Sequence, residues 1–276
     1  LVRNPAYCAG LRASGAVPVL GDLDDRASLA RIAGLADAVL HFAPPSSTPP
    51  LPRGGREGSG SLQRERAFSD TRTRNLLGVL SQATLPRRLV YISTSGVYGD
   101  CGGAWVGETR PLNAASPRSL RRVDAERQVR RWAKRNRVNA SILRVPGIYA
   151  ADRLPLSRLQ QGTPGIIAGE DSYTNHIHAD DLARIGVAAL RHGKPCRVYH
   201  ASDDSHLKMG EYFDLVADAY HLPRVPRISR AEAQRVLPEM LLSFMNESRR
   251  LTNQRMKREL KVKLRYPTVA DMLAAL

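Results

Sequence analysis

Leu89–Asp100 reads LVYISTSGVYGD, and the reading of the whole chain turns on it. Leu89, Val90, Tyr91 and Ile92 form an unbroken apolar run without the alternation of a half-buried strand. A strand covered on both faces of a parallel sheet has this composition. The run passes directly into Ser93, Thr94 and Ser95, then into Gly96-Val97-Tyr98-Gly99. In open α/β sheets, ligands bind where the carboxyl ends of the strands open into a crevice. A hydroxyl cluster at that end is placed for chemistry; read locally, it is equally a strand followed by an ordinary Ser/Gly turn.

Working outward, the neighbouring segments alternate between strand and helix. Ala6–Ser14 reads as a short helix ended at Gly15, Ala16–Leu20 as a strand, and the stretch that follows Asp24 and Asp25, through Gly34, as a helix that either carboxylate can cap. Ala38–Phe42 is a further strand, and Asp70–Ala83 a helix with Asp70 as its cap. Ser116 caps a long basic helix that runs to about Arg135, with Pro117 at its favoured first position. Asn139–Val145 is another buried strand, closed by Pro146-Gly147. This order is a doubly wound α/β pattern. Pro44–Ser61 lacks the apolar residues to order itself and reads as a mobile loop. Its glycines follow no strand, so they do not make a phosphate-cradling turn.

Two regions are expected, 1–150 as a nucleotide-binding domain and 151–276 as a mostly helical lobe. In the second, Leu154–Gln161, Leu182–Leu190, Met209–Tyr220, Arg230–Leu237 and Arg249–Leu260 read as helices, and Arg197–Ala201 as a strand returning to the sheet. A chain of 276 residues with 42% hydrophobic content supports one large α/β domain or such a domain with a lobe. No run approaches the roughly 18 apolar residues of a membrane span. The three cysteines make neither a disulfide framework nor a zinc pattern, which points to a reducing, cytoplasmic setting. The net charge of +16 is spread along the chain, mostly as Arg. It reads either as a solvated basic surface or as a face for a polyanion such as nucleic acid. Aromatic residues at 5% are too few for base-stacking platforms.

Three motifs occur in fixed order: Ser93-Thr94-Ser95-Gly96-Val97-Tyr98-Gly99, Leu143-Arg144-Val145-Pro146-Gly147-Ile148-Tyr149, and His176-Ile177-His178-Ala179-Asp180-Asp181-Leu182-Ala183. Together they resemble the extended short-chain dehydrogenase/reductases, the NAD(P)-dependent epimerase/dehydratase family. The tail Asn246-Glu247-Ser248-Arg249-Arg250 looks like an uncharacterised bacterial branch of it. The resemblance implies a Rossmann sheet with a C-terminal substrate lobe. It places Thr94 at the substrate oxygen, Asp22 and Leu23 beside the adenine, and His41, Phe42, Ala43 and Pro146 along the dinucleotide. Arg3 matches a position where a guanidinium meets the 2′-phosphate, which favours NADP over NAD. Ser95, Val97, Tyr98 and His178 are expected on the substrate side.

Two departures accompany these matches. The family's Tyr and Lys proton-transfer pair aligns with Arg118 and Arg122, and arginine does not give up its proton near neutral pH. Arg118 and Arg122 can instead hold an anionic substrate or a cofactor phosphate, or form a solvated helix face. The family's first strand and its glycine-rich turn are also missing, which implies an incomplete version of a longer protein. The seven histidines do not show a metal pattern. Cys101 has no neighbouring base to activate it, and Ser93 to Ser95 lack a Gly-x-Ser-x-Gly elbow. The expected function is an atypical oxidoreductase acting on a carbonyl or sugar-nucleotide-like substrate. The alternative is a non-catalytic dinucleotide sensor or a polyanion-binding protein on the same scaffold. Oligomeric state is left open, since pairing through the basic helix would set like charges against each other.

Overall fold

The computed structural model describes residues 1–46 and 68–276. Its main sheet has four strands: β1 (Ala38–His41), β2 (Arg88–Thr94), β3 (Asn139–Val145) and β4 (Val198–His200), in the spatial order β1-β2-β3-β4. β1 and β2 run parallel with Val39 opposite Leu89 and His41 opposite Tyr91. β2 has the continuous apolar burial that its composition demands: Leu89, Val90 and Tyr91 are at most 1% exposed. β1 lies at the sheet edge and leaves Leu40 exposed.

The chain divides into two compact units. The first comprises Leu1–Ser93, Pro117–Ile142 and Gly193–Arg197. It contains helix α1 (Thr71–Leu80) and helix α2 (Pro117–Asn136). Asp70 caps α1, accepting from Arg72 N at 3.1 Å and Thr73 N at 3.3 Å, as its position before the apolar run requires. α1 and α2 pack together, and Leu76, Leu77 and Leu80 of the first and Val123, Val129 and Trp132 of the second are buried. Trp132 Nε1 donates to Ser81 Oγ at 2.8 Å at that contact.

The second unit comprises Thr94–Ser116, Leu143–His192 and Val198–Leu276, so it draws residues from both sides of position 150. It holds helices α3 (Ala179–His192), α4 (Met209–Ala219) and α5 (Gln254–Leu260). Short parallel pairings join Gly147–Tyr149 to His176–His178, Gly165–Ile166 to Arg227–Ile228, and Trp105–Val106 to Arg250–Leu251. Asp181, in the first turn of α3, is fully buried. It accepts from Arg265 N and Tyr266 N, both at 2.8 Å, and so fixes the C-terminal segment.

Several local readings need correction. Ala16–Leu20 is not a strand: only an isolated bridge joins Val2 and Leu20, with Val2 N donating to Val19 O at 2.8 Å. The helix expected after Asp24 and Asp25, through Gly34, shrinks to a 3-10 segment, Ala27–Ile32; its N-cap is Arg26, which makes no side-chain cap bond, and Asp25 Oδ1 only accepts from Ala27 N at 3.0 Å. Arg249–Leu260 is not one helix. Arg250 N and Thr252 N donate to Ala104 O and Val106 O, which pulls the first residues into a strand. Helix α5 therefore begins only at Gln254. The Pro44–Ser61 stretch lies outside the described residues beyond Ser46.

Candidate functional site

In the first unit, polar side chains gather at the carboxyl ends of β1 and β2. His41 ends β1, and its Nε2 lies 2.9 Å from Thr73 Oγ1, which itself donates to Asp70 Oδ2 at 2.7 Å. With its hydroxyl proton given to Asp70, Thr73 is left to accept, so His41 carries its proton on Nε2. Burial, helped by the nearby Arg122 charge, pushes the His41 pKa down to about 4. The ring is therefore neutral and acts as a positioned donor.

Arg122 projects from α2 onto the same strand end. Its Nη1 donates to the Ile92 carbonyl at 2.5 Å and to Tyr91 Oη at 3.1 Å. Tyr91 is the phenol nearest this guanidinium, but burial pushes its pKa up, away from any proton-shuttling range. Ser93 Oγ is buried with no protein partner. Arg118 sits exposed in the first turn of α2 and makes polar contacts of its own.

The expected adenine-side residues lie on the loop that follows the Val2–Leu20 bridge. Asp22 Oδ1 accepts from Asp24 N at 2.9 Å, and the Leu23 carbonyl accepts from Asn75 Nδ2 at 2.8 Å. Arg72 clasps both Asp24 oxygens, at 2.9 and 2.6 Å. Exposed Arg3 is close enough for its charge to help hold the Asp24 carboxyl below the usual range, after the larger effect of the Arg72 hydrogen bond. Phe42 is exposed and Ala43 half-buried just beyond β1.

In the second unit, Thr94 starts a 3-10 turn over Ser95–Tyr98, and its Oγ1 accepts from Gly96 N at 3.2 Å. The hydroxyl proton is thus left to donate. Arg249 holds the turn from beneath. Its Nη1 donates to the Gly99 carbonyl at 2.8 Å and to Glu247 Oε2 at 2.9 Å, while Nη2 reaches Ser95 Oγ at 3.4 Å. Gly99 has φ of 63°, and a Cβ there would come 2.3 Å from the Asn113 carbonyl, so this position tolerates only glycine.

Val97 and Tyr98, expected at the substrate, are instead packed inside this unit. Val97 is 0% exposed and Tyr98 1%. Tyr98 Oη lies 2.6 Å from His200 Nε2 and accepts from Arg144 Nη1 at 2.6 Å. His200 Nδ1 is 2.8 Å from the Thr252 carbonyl, an obligate acceptor, so Nδ1 carries the proton and Nε2 accepts from Tyr98. Arg144 also donates to the Glu108 carbonyl at 3.2 Å. These residues stiffen the loop that presents Thr94.

His178, another expected substrate contact, is also buried. Its Nδ1 accepts from Asp180 N at 3.2 Å, and its ring packs on Tyr266 with centroids 4.2 Å apart. Pro146 is half-buried between β3 and the Gly147–Tyr149 strand. Sequence reasoning gave Arg249, Glu247, His200 and Arg144 no site role. Their signal is the pairing of charged residues with an otherwise apolar burial pattern, visible only once Trp105–Val106 and Arg250–Leu251 are paired. Among the described residues, no three His, Cys, Asp or Glu side chains converge as metal ligands, and no helix is long and apolar enough to cross a membrane.

A family model described as "NAD dependent epimerase/dehydratase family" matches residues 4–201. The dTDP-glucose 4,6-dehydratase of Mycobacterium tuberculosis (strain ATCC 25618 / H37Rv) is 26% identical over 201 residues, 67% of this chain and 57% of that protein. This chain thus spans little more than half the length of that curated relative. A functionally unknown conserved protein from Silicibacter pomeroyi DSS has a solved structure with a TM-score of 0.73 and 30% identity, over 99% of this chain and 87% of that one. DesIV, a dTDP-glucose 4,6-dehydratase from Streptomyces venezuelae solved with NAD and TYD bound, shares the fold at a TM-score of 0.73 and 22% identity, over 99% and 82% of the two chains. With its parallel α/β sheet and a family match over 4–201, the chain belongs to the NAD-dependent epimerase/dehydratase family.

Proposed function

We propose that the protein is an atypical NAD(P)-dependent oxidoreductase of the epimerase/dehydratase type, acting on a carbonyl or sugar-nucleotide-like substrate. The observation that carries this reading is Thr94, whose oxygen is satisfied by Gly96 N and whose proton is left for a substrate oxygen. A donor aimed at an oxygen where charge develops lowers the barrier to reaction at the adjoining carbon. Ser95, held by Arg249, keeps that donor in place.

The residues present fit a dinucleotide in part. In the first unit, Asp22, Leu23, His41, Phe42 and Ala43 are the proposed dinucleotide contacts, a reading supported by the buried Ser93 hydroxyl, which has no protein partner and suits a polar ligand; Pro146, in the second unit, is a further proposed contact. Arg3 is exposed, and Arg72 already neutralises its neighbour Asp24, which supports NADP over NAD. A nicotinamide dinucleotide, when bound, supplies the hydride acceptor or donor. Arg118 and Arg122 bind anionic groups of cofactor or substrate; with fixed charges, neither relays a proton. Cys8, Cys101 and Cys196 are free thiols, in keeping with a reducing, cytoplasmic location.

A second reading, a dinucleotide sensor without turnover, is favoured by Arg122 itself, whose Nη1 is committed to Ile92 and Tyr91 where the reaction needs a titratable group. Incubation with NADPH or NADH and a panel of dTDP-sugars, UDP-sugars and simple carbonyls separates the two. Turnover that falls about a hundredfold in Thr94→Val and survives in Thr94→Ser supports the enzyme. Saturable dinucleotide binding with no turnover on any panel member supports the sensor.

A further inference from the structure

Helix α2 carries a cationic stripe that the site does not use. Arg127, Arg131, Lys134 and Arg135 recur at i, i+4, i+7 and i+8, which places them on one helix face, and all four are exposed. The carboxylates on the helix are engaged elsewhere. Glu126 is fully buried and pairs with Arg130 at 3.2 Å. Asp124 Oδ2 accepts from Asp70 N at 2.8 Å, Gln128 Nε2 at 2.6 Å and Ser69 Oγ at 3.3 Å. Among the described residues, no carboxylate pairs with the four stripe cations. From Arg127 to Arg135 the row rises about 12 Å along the helix.

We propose that this face binds the phosphate backbone of duplex nucleic acid by charge alone, without reading sequence. Each strand of a duplex presents one negative charge per ~3.4 Å of its axis, close to the one cation per ~3–4 Å of this uncompensated row. The net charge of +16 adds long-range attraction to a polyanion. The helix turns Val123, Val129 and Trp132 into its own core, leaving no apolar wedge on the stripe face to enter a lipid surface. No aromatic side chain stands on that face to stack unpaired bases, so a duplex backbone fits better than a single strand.

Fluorescence anisotropy of a labelled duplex of about 20 base pairs, titrated with the whole protein at 50 and 200 mM salt, reads this directly. Four phosphate contacts give a slope of log affinity on log salt near about −3.6, roughly a hundredfold loss between those salts. The variant Arg127→Gln/Arg131→Gln/Lys134→Gln/Arg135→Gln is expected to weaken binding at least about tenfold at 50 mM and to flatten the slope by about three. A control that removes equal charge from the second unit, Arg153→Gln/Arg191→Gln/Arg235→Gln/Lys263→Gln, is expected to retain most of the affinity. Circular dichroism checks that each variant is folded; if the quadruple variant is not, Arg131→Gln and Lys134→Gln singly each lower the slope by about one. Equal losses in stripe and control variants would overturn the proposal. So would no binding at 50 mM, or tighter binding to phosphatidylserine vesicles than to the duplex.

Discussion

Arg249 Nη1 donates to the Gly99 carbonyl at 2.8 Å, joining residues 150 apart in the chain. The same nitrogen bonds Glu247, and the two side chains are only 10% and 14% exposed. The turn that presents the Thr94 hydroxyl is therefore held by a buried ion pair from the C-terminal tail as well as by the Thr94–Gly96 bond within it.

Removing that clamp strands a buried carboxylate. Arg249→Ala is expected to cost about 3–5 kcal/mol of unfolding free energy, because the lone Glu247 keeps its desolvation penalty without its partner. Arg249→Lys is expected to cost less, since an ammonium retains the charge but cannot serve both acceptors. Chemical denaturation of the two variants checks the order.

Tyr98→Phe is expected to destabilise by about 1–3 kcal/mol with little cavity, because it deletes one oxygen and leaves His200 Nε2 and an Arg144 N–H short of a partner in a buried site. The accompanying Tyr98→Phe/His200→Phe pair measures the coupling. Additive losses in that double-mutant cycle would contradict a Tyr98–His200 coupling.

Asp203 gives stability a particular pH dependence. Burial pushes its pKa up from 3.8 to about 7, and the nearby Tyr149 hydroxyl faces it without a hydrogen bond of normal geometry. The folded state therefore holds a proton that the unfolded state releases near pH 4. This contribution, on the order of 4 kcal/mol, is fully present below about pH 4 and is lost as pH rises through about 7. His41 and His176 act in the opposite sense. Their folded pKa values are depressed to about 4 by burial, so their contribution is present above about 6.5 and lost as pH falls through about 4. Denaturation midpoints between pH 4 and 9 are expected to peak between these limits, and Asp203→Asn is expected to flatten the alkaline side.

The fold was legible where one segment's composition decides its environment. Leu89 to Ile92 could only be a doubly covered strand, Asp70 precedes its helix with a free carboxylate, and Pro117 sits where a missing N–H costs nothing. What lay hidden depends on pairing between distant segments. The Arg249–Leu251 stretch has helical propensity, yet bonds to Ala104 and Val106 draw it into a strand. The substrate-side reading of Val97, Tyr98 and His178 followed the motif, but a motif does not reveal which members face inward. Their burial against His200, Arg144 and Tyr266 is a tertiary fact.

Whether the protein binds a nicotinamide dinucleotide is read by titrating NADPH and NADH into it and following nicotinamide fluorescence. Saturable binding is expected, tighter for NADPH through Arg3, weakened by Arg3→Gln and unchanged in the stripe variant of α2. Failure of both dinucleotides to saturate the folded protein would contradict the functional reading.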